Sequence, residues 1–121
     1  MIGAISGFLS VLVGAFAAHG LNQILLPAAI ETIKTAVQYQ MYHALALILI
    51  GVWAGHKPVA SGLKAVGLTF ILGSFLFCGS LYALALGAPR WLGPITPLGG
   101  LCLLIGWFLL AVTAWRARLI T

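Results

Sequence analysis

Gln38, Tyr39, Gln40, Tyr42 and His43 fall within the run VQYQMYHALAL (37–47), which leads directly into one of the most apolar parts of the chain. Carboxamide, phenol and imidazole groups at this spacing could relay a proton, ligate a soft cation or hydrogen-bond a ligand. The first two chemistries need helpers that the sequence does not supply. Imidazole and thiolate bind soft cations, yet His19, His43, Cys78 and Cys102 are far apart in sequence, and the cysteines lie deep in apolar runs. Glu31 is the only acid, so a carboxylate pair cannot be assembled, and a Ser80–His43 dyad lacks an acidic group to orient it. No metal and no cofactor is expected from these residues. Hydrogen bonding is the chemistry they offer most directly.

What positions them is set by composition. Hydrophobic residues make up 63% of the 121 and charged residues 6%, against about a quarter charged in an ordinary soluble domain. Six Lys/Arg and one acid cannot coat a water-facing surface, so the exterior must face lipid. The formal charge of +5 comes from isolated basic residues with no basic stripe, which argues against nucleic acid as a partner. Such charges set membrane topology instead. Cys78 and Cys102 show no CxxC spacing and read as small packing residues.

The apolar runs predict an all-α polytopic membrane protein, one transmembrane domain over 1–121 built as an antiparallel four-helix bundle. Helices are expected at about 2–19, 27–54, 62–86 and 97–116. Ala15-Phe16-Ala17 resembles a signal-peptide cleavage site, but no Lys or Arg precedes the first apolar run, so a permanent helix is expected. Gly20 is expected to close that helix in the left-handed conformation. Gly3, Gly7, Ser10, Gly14 and Ala18 form a small-residue ridge that lets a neighbouring helix approach. Pro27 suits a first helical position, and Glu31 is expected in the first turn, where the helix dipole favours an anion. Glu31, Lys34, Thr35, Gln38 and Tyr42 fall on one stripe about 100° wide, with Tyr39 and His43 on an adjacent face and Gln40 opposite. The stripe reads as an interfacial helix start that becomes a span. Ser61 and Thr96 are expected to cap the third and fourth helices, with Pro97 at the first position of the fourth, and the Pro/Gly-rich segment GAPRWLGPITP (87–97) is expected to lack regular structure. Short connections imply up-down-up-down order. Lys57, Lys64, Arg116 and Arg118 then share the side of both termini, against Lys34 and Arg90, so both termini are expected in the cytoplasm.

Four strings, GAFAAHGL (14–21), VQYQMYHALAL (37–47), GSLYALAL (79–86) and LGPITPLGG (92–100), resemble the YgdD/YwdK-like small membrane proteins, the domain of unknown function family 423. The likeness runs over nearly the whole chain. It implies a four-helix protein of the bacterial inner (plasma) membrane and carries no reaction or ligand with it.

In such a bundle His19, Gln38, Tyr39, Tyr42, His43, Ser80, Tyr82 and Thr96 all belong to one half. They define a candidate ligand-binding pocket on the outer face. His43 is expected to point inward and to bond Tyr82, His19 or the backbone around Ile95 and Thr96, since a buried unpaired polar group costs roughly 1–3 kcal/mol. The function expected is that of a non-enzymatic membrane protein supporting envelope integrity through lipids, a second copy of itself or a membrane-protein partner. A small-solute or proton pathway, and an enzyme acting on a lipid or quinone headgroup, are the alternatives.

Overall fold

Uninterrupted Leu, Ile, Val, Ala and Phe leave the backbone no hydrogen-bonding partners in lipid except its own, so each apolar run folds as a helix. The computed structural model describes residues 1–56 and 61–118. It contains helices α1 (Ile2–His19), α2 (Pro27–His56), α3 (Ser61–Ala85) and α4 (Ile95–Arg118). All four are long and apolar enough to cross a membrane. The connection 57–60, and the capping expected of the Ser61 side chain, lie outside the described residues.

The helix ends differ from expectation in three places. Gly20 has φ −112° and ψ −56°, so it does not adopt the left-handed conformation. The chain instead continues into a 3₁₀ turn, Leu21–Gln23, and the Asn22 and Gln23 carboxamides donate to the carbonyls of Ala18 (2.7 Å) and His19 (3.5 Å). Side-chain donors satisfy the last carbonyls, so a left-handed residue is not needed. Glu31 lies beyond the first turn of α2 and pairs with Lys34 at 2.7 Å, both side chains exposed. The third difference is at α4. A 3₁₀ turn, Arg90–Leu92, interrupts the segment expected to be irregular, and α4 begins at Ile95, so Thr96 and Pro97 are inside its first turn. Proline is tolerated there because the first four N–H groups of a helix have no intrahelical acceptor. The left-handed glycine is Gly87 (φ 92°), which ends α3. Its N–H reaches Leu84 O at 3.1 Å and that of Ala88 reaches Ala83 O at 2.9 Å, the paired bonds of a Schellman ending.

Extensive interfaces join only sequence neighbours: α1 with α2, α2 with α3 and α3 with α4. The four helices thus form an open antiparallel bundle, with α2 and α3 in the middle. Small residues set the close contacts. A Cβ at Gly3 would stand 2.7 Å from Ala44 O, and one at Gly14 would stand 3.2 Å from Val37 Cγ1, so the α1 ridge faces α2. Ala17, rather than Ala18, is the buried alanine at its far end. Between α3 and α4, Gly99 lies on the Phe77 backbone, Gly106 on the Phe70 ring and Gly73 on Leu103. Phe70 and Val66 are fully buried, and with Ala46, Ile50, Leu63 and Leu103 they make a core shared by α2, α3 and α4.

Candidate functional site

The stripe of α2 read from sequence, Glu31, Lys34, Thr35, Gln38 and Tyr42, is exposed along its length. Gln38 donates to the Tyr42 hydroxyl one turn on, and both stay on this outer face. The opposite face is where Gln40 lies, and it points between α1 and α3. Its Nε2 donates to Ser6 O on α1 at 3.0 Å, while its Oε1 accepts the Tyr82 hydroxyl of α3 at 2.7 Å. One carboxamide therefore ties three helices. Ser10 Oγ, buried on α1, donates to Val37 O at 2.8 Å.

His43 is 4% exposed. Nδ1 is 2.7 Å from Tyr39 O and Nε2 is 3.1 Å from Trp107 Nε1. A carbonyl can only accept and an indole N–H can only donate. The imidazole is therefore neutral, with its proton on Nδ1. The ring also meets Phe70 and Trp107 edge-on, with centroids 5.2 and 6.0 Å away, and stacks against Tyr39 at 6.3 Å. His43 does face inward, but its partners are Tyr39 O and Trp107 instead of Tyr82, His19 or the start of α4. The α2 register explains the difference: Gln40, not His43, occupies the level of Tyr82. His56 shows that the bond to the carbonyl four residues back is a local habit of helical histidine, since its Nδ1 lies 2.7 Å from Val52 O. The bond from Trp107 is what makes His43 an interhelical residue.

Ser80 Oγ donates to Phe77 O (3.0 Å), so the 2.6 Å contact with Thr96 has the Thr96 hydroxyl donating. Thr96 thus joins α4 to α3 where capping of α4 was expected. His19 is exposed at the end of α1 beside a shallow cavity with Leu12 and Phe16. The eight residues expected to converge consequently occupy separate places. Gln40 and Tyr82 border a cavity of about 310 Å³ between α1 and α3, whereas Tyr39 and His43 border one of about 610 Å³ beside α4. Trp107 and Gln40 are the residues that sequence reasoning left out of the site. An indole in the middle of an apolar run carries a donor that needs a partner, and that signal was available for Trp107. Among the described residues, no group of three or more His, Cys, Asp or Glu could hold a metal ion. Ser74 Oγ is the one buried side-chain oxygen or nitrogen there without a hydrogen-bond partner.

Comparison with known proteins gives the chain its family. The family described as protein of unknown function (DUF423) matches residues 13–100. A UPF0382 membrane protein of Staphylococcus haemolyticus is 42% identical over 96% of this chain and 93% of its own. The UPF0382 membrane protein YwdK of Bacillus subtilis is 39% identical over 94% of this chain and 93% of its own. The UPF0382 inner membrane protein YgdD of Escherichia coli is 38% identical over 95% and 87%, respectively. No solved structure matches. The chain belongs to the DUF423 family of membrane proteins.

Proposed function

We propose, with membership of this membrane-protein family as the premise, that the protein is a non-enzymatic scaffold of the bacterial inner membrane that supports its integrity through lipid or protein contacts. One observation carries the reading: a set of polar side chains within the spans fastens one helix to the next. Ser10 and Gln40 hold α1 to α2, Tyr82 holds α3 to α2, Trp107 holds α4 to His43 of α2, and Thr96 holds α4 to Ser80 of α3. Interhelical hydrogen bonds of this kind contribute about 0.6 kcal/mol each in a bilayer, up to nearly 2. Their larger effect is on geometry, because they fix which faces are left outward. Those faces carry Phe8, Phe16, Leu49, Phe75, Leu104 and Phe108, a surface suited to acyl chains and to apolar helices.

A deletion strain tests this. Loss of the gene should raise envelope permeability to detergents and dyes, and the wild-type gene should restore the barrier. Gln40→Leu, which removes both of its interhelical bonds, should restore it less well at equal protein level. Catalysed turnover of a membrane lipid, or solute flux through liposomes holding the purified protein, would overturn the scaffold reading.

A further inference from the structure

The cleft of about 610 Å³ beside α4 has a chemical character of its own. Tyr39, Phe77 and Trp107 supply its aromatic lining, and Leu101 and Leu104 continue it as hydrocarbon. Tyr39 is 40% and Trp107 47% exposed, so both rings are accessible from the lipid side. The Tyr39 and Phe77 rings are 4.8 Å apart and tilted by 39°. Gly100 also lines the cleft, and a Cβ there would meet only the Phe77 ring, at 3.7 Å. A larger residue at 100 would therefore fill the space beside the rings. No cation borders the cleft, and among the described residues the Tyr39 hydroxyl makes no hydrogen bond. Trp107 donates its N–H to His43 Nε2, which leaves its indole π-system richer in electrons.

We infer that this cleft binds a membrane-dissolved quinone: a planar benzoquinone or naphthoquinone ring on a hydrocarbon tail. The faces of Tyr, Phe and Trp rings are electron-rich, and a quinone ring, drained by its two carbonyls, is electron-poor. Face-to-face contact between the two is attractive, which it is not for two electron-rich rings. A quinone carbonyl accepts the hydrogen bond that the Tyr39 hydroxyl can donate. The tail follows Leu101 and Leu104 into the bilayer. A phospholipid headgroup finds no countercharge here, and a bare acyl chain uses neither the ring faces nor the hydroxyl. The inference is of binding alone and adds a ligand to the proposed scaffold. Its failure leaves the scaffold reading standing, because the permeability test does not involve this cleft.

The test is photolabelling of the full-length protein in phosphatidylcholine nanodiscs with an azido-benzoquinone bearing a decyl tail, the labelled residues being mapped by mass spectrometry. Labelling should saturate and concentrate on residues 39 and 97–107. Decyl-benzoquinone should compete at least tenfold better than decylbenzene. Gly100→Leu should weaken labelling tenfold or more, and Tyr39→Phe should weaken competition about fivefold, as expected for one neutral hydrogen bond. Tyr39 is half-exposed, so its variant tests the inference even if Gly100→Leu fails to fold. Unsaturable label spread over the lipid-facing helices would overturn the inference. So would equal competition by decylbenzene, which means a hydrocarbon occupant, or disulfide-linked dimers formed through Leu104→Cys, which mean a second copy in the cleft.

Discussion

His43 has one proton and two committed partners, which makes its neighbours more sensitive than their burial alone indicates. Trp107→Phe keeps most of the apolar surface but leaves Nε2 of a buried imidazole bare. The expected cost is about 1–3 kcal/mol, read as a lower melting temperature in detergent. Combined with His43→Phe, the two changes should cost less than their sum, because the second removes the orphaned acceptor. Ser74 is the converse case. Its hydroxyl is buried without a partner, so Ser74→Ala removes an unmet hydrogen-bonding demand and adds a better helix former. The expected result is a gain of about 1 kcal/mol, and a lower melting temperature would show that the hydroxyl has a partner in the bilayer. The residue types alone imply that His43 does not face lipid. They did not reveal its partner, because the side chain at the same depth on another helix depends on register, and apolar runs of Leu and Ala offer no marker of register.

Helices here meet through glycine, and the glycines are not equivalent. Gly99→Ala puts a methyl group on the Phe77 backbone, which cannot give way without separating α3 from α4. Gly14→Ala meets the end of a valine side chain at 3.2 Å, which can shift. Gly79→Ala meets nothing within 4 Å and gains helix propensity of about 1 kcal/mol. Thermal stability should therefore rank Gly79→Ala above Gly14→Ala above Gly99→Ala, and a Gly99 variant that melts like wild type would mean that the close α3–α4 approach is absent in the membrane. Gly14→Leu, far larger, should destabilise or separate α1 from α2. The presence of four apolar helices was legible, because Pro27 and the Gly20 and Gly87 regions punctuate the apolar runs, while the start of α4 was not, since α4 begins at Ile95, ahead of the Thr96-Pro97 pair expected to open it. The contacts of the α1 ridge were legible too, from the spacing of Gly3, Gly7, Ser10 and Gly14. The role of Gln40 was not, since the face opposite a polar stripe is lipid-facing on an edge helix and interior on a central one. Only the packing of α1 and α3 on both flanks of α2 decides between them.

At the scale of the whole molecule, short connections made neighbours of consecutive helices, but they do not require the first and last to meet, and here the extensive interfaces stop at sequence neighbours. What they do determine is sidedness. An even number of antiparallel spans places Met1 and Arg118 on one face, with Lys64 at the start of α3 and Arg116 at the end of α4. By its place in the sequence, just after His56, Lys57 is expected to bring the basic residues of that side to four. Lys34 and Arg90 are on the other, where Lys34 is already paired with Glu31. Basic residues in short loops are retained in the cytoplasm, so the bias predicts both termini inside. A green fluorescent protein fused after Thr121 should then be fluorescent, and an alkaline phosphatase fused there inactive. Phosphatase fused after Gln23, in the turn beyond α1, should be active. Replacing Lys64 and Arg116 by Gln while adding two lysines beside Gln23 should weaken or reverse the pattern, because the basic-residue count then favours the other face. Phosphatase activity at Thr121 in the unaltered protein would reverse the orientation and place the Tyr39–Trp107 cleft in the cytoplasmic half of the membrane.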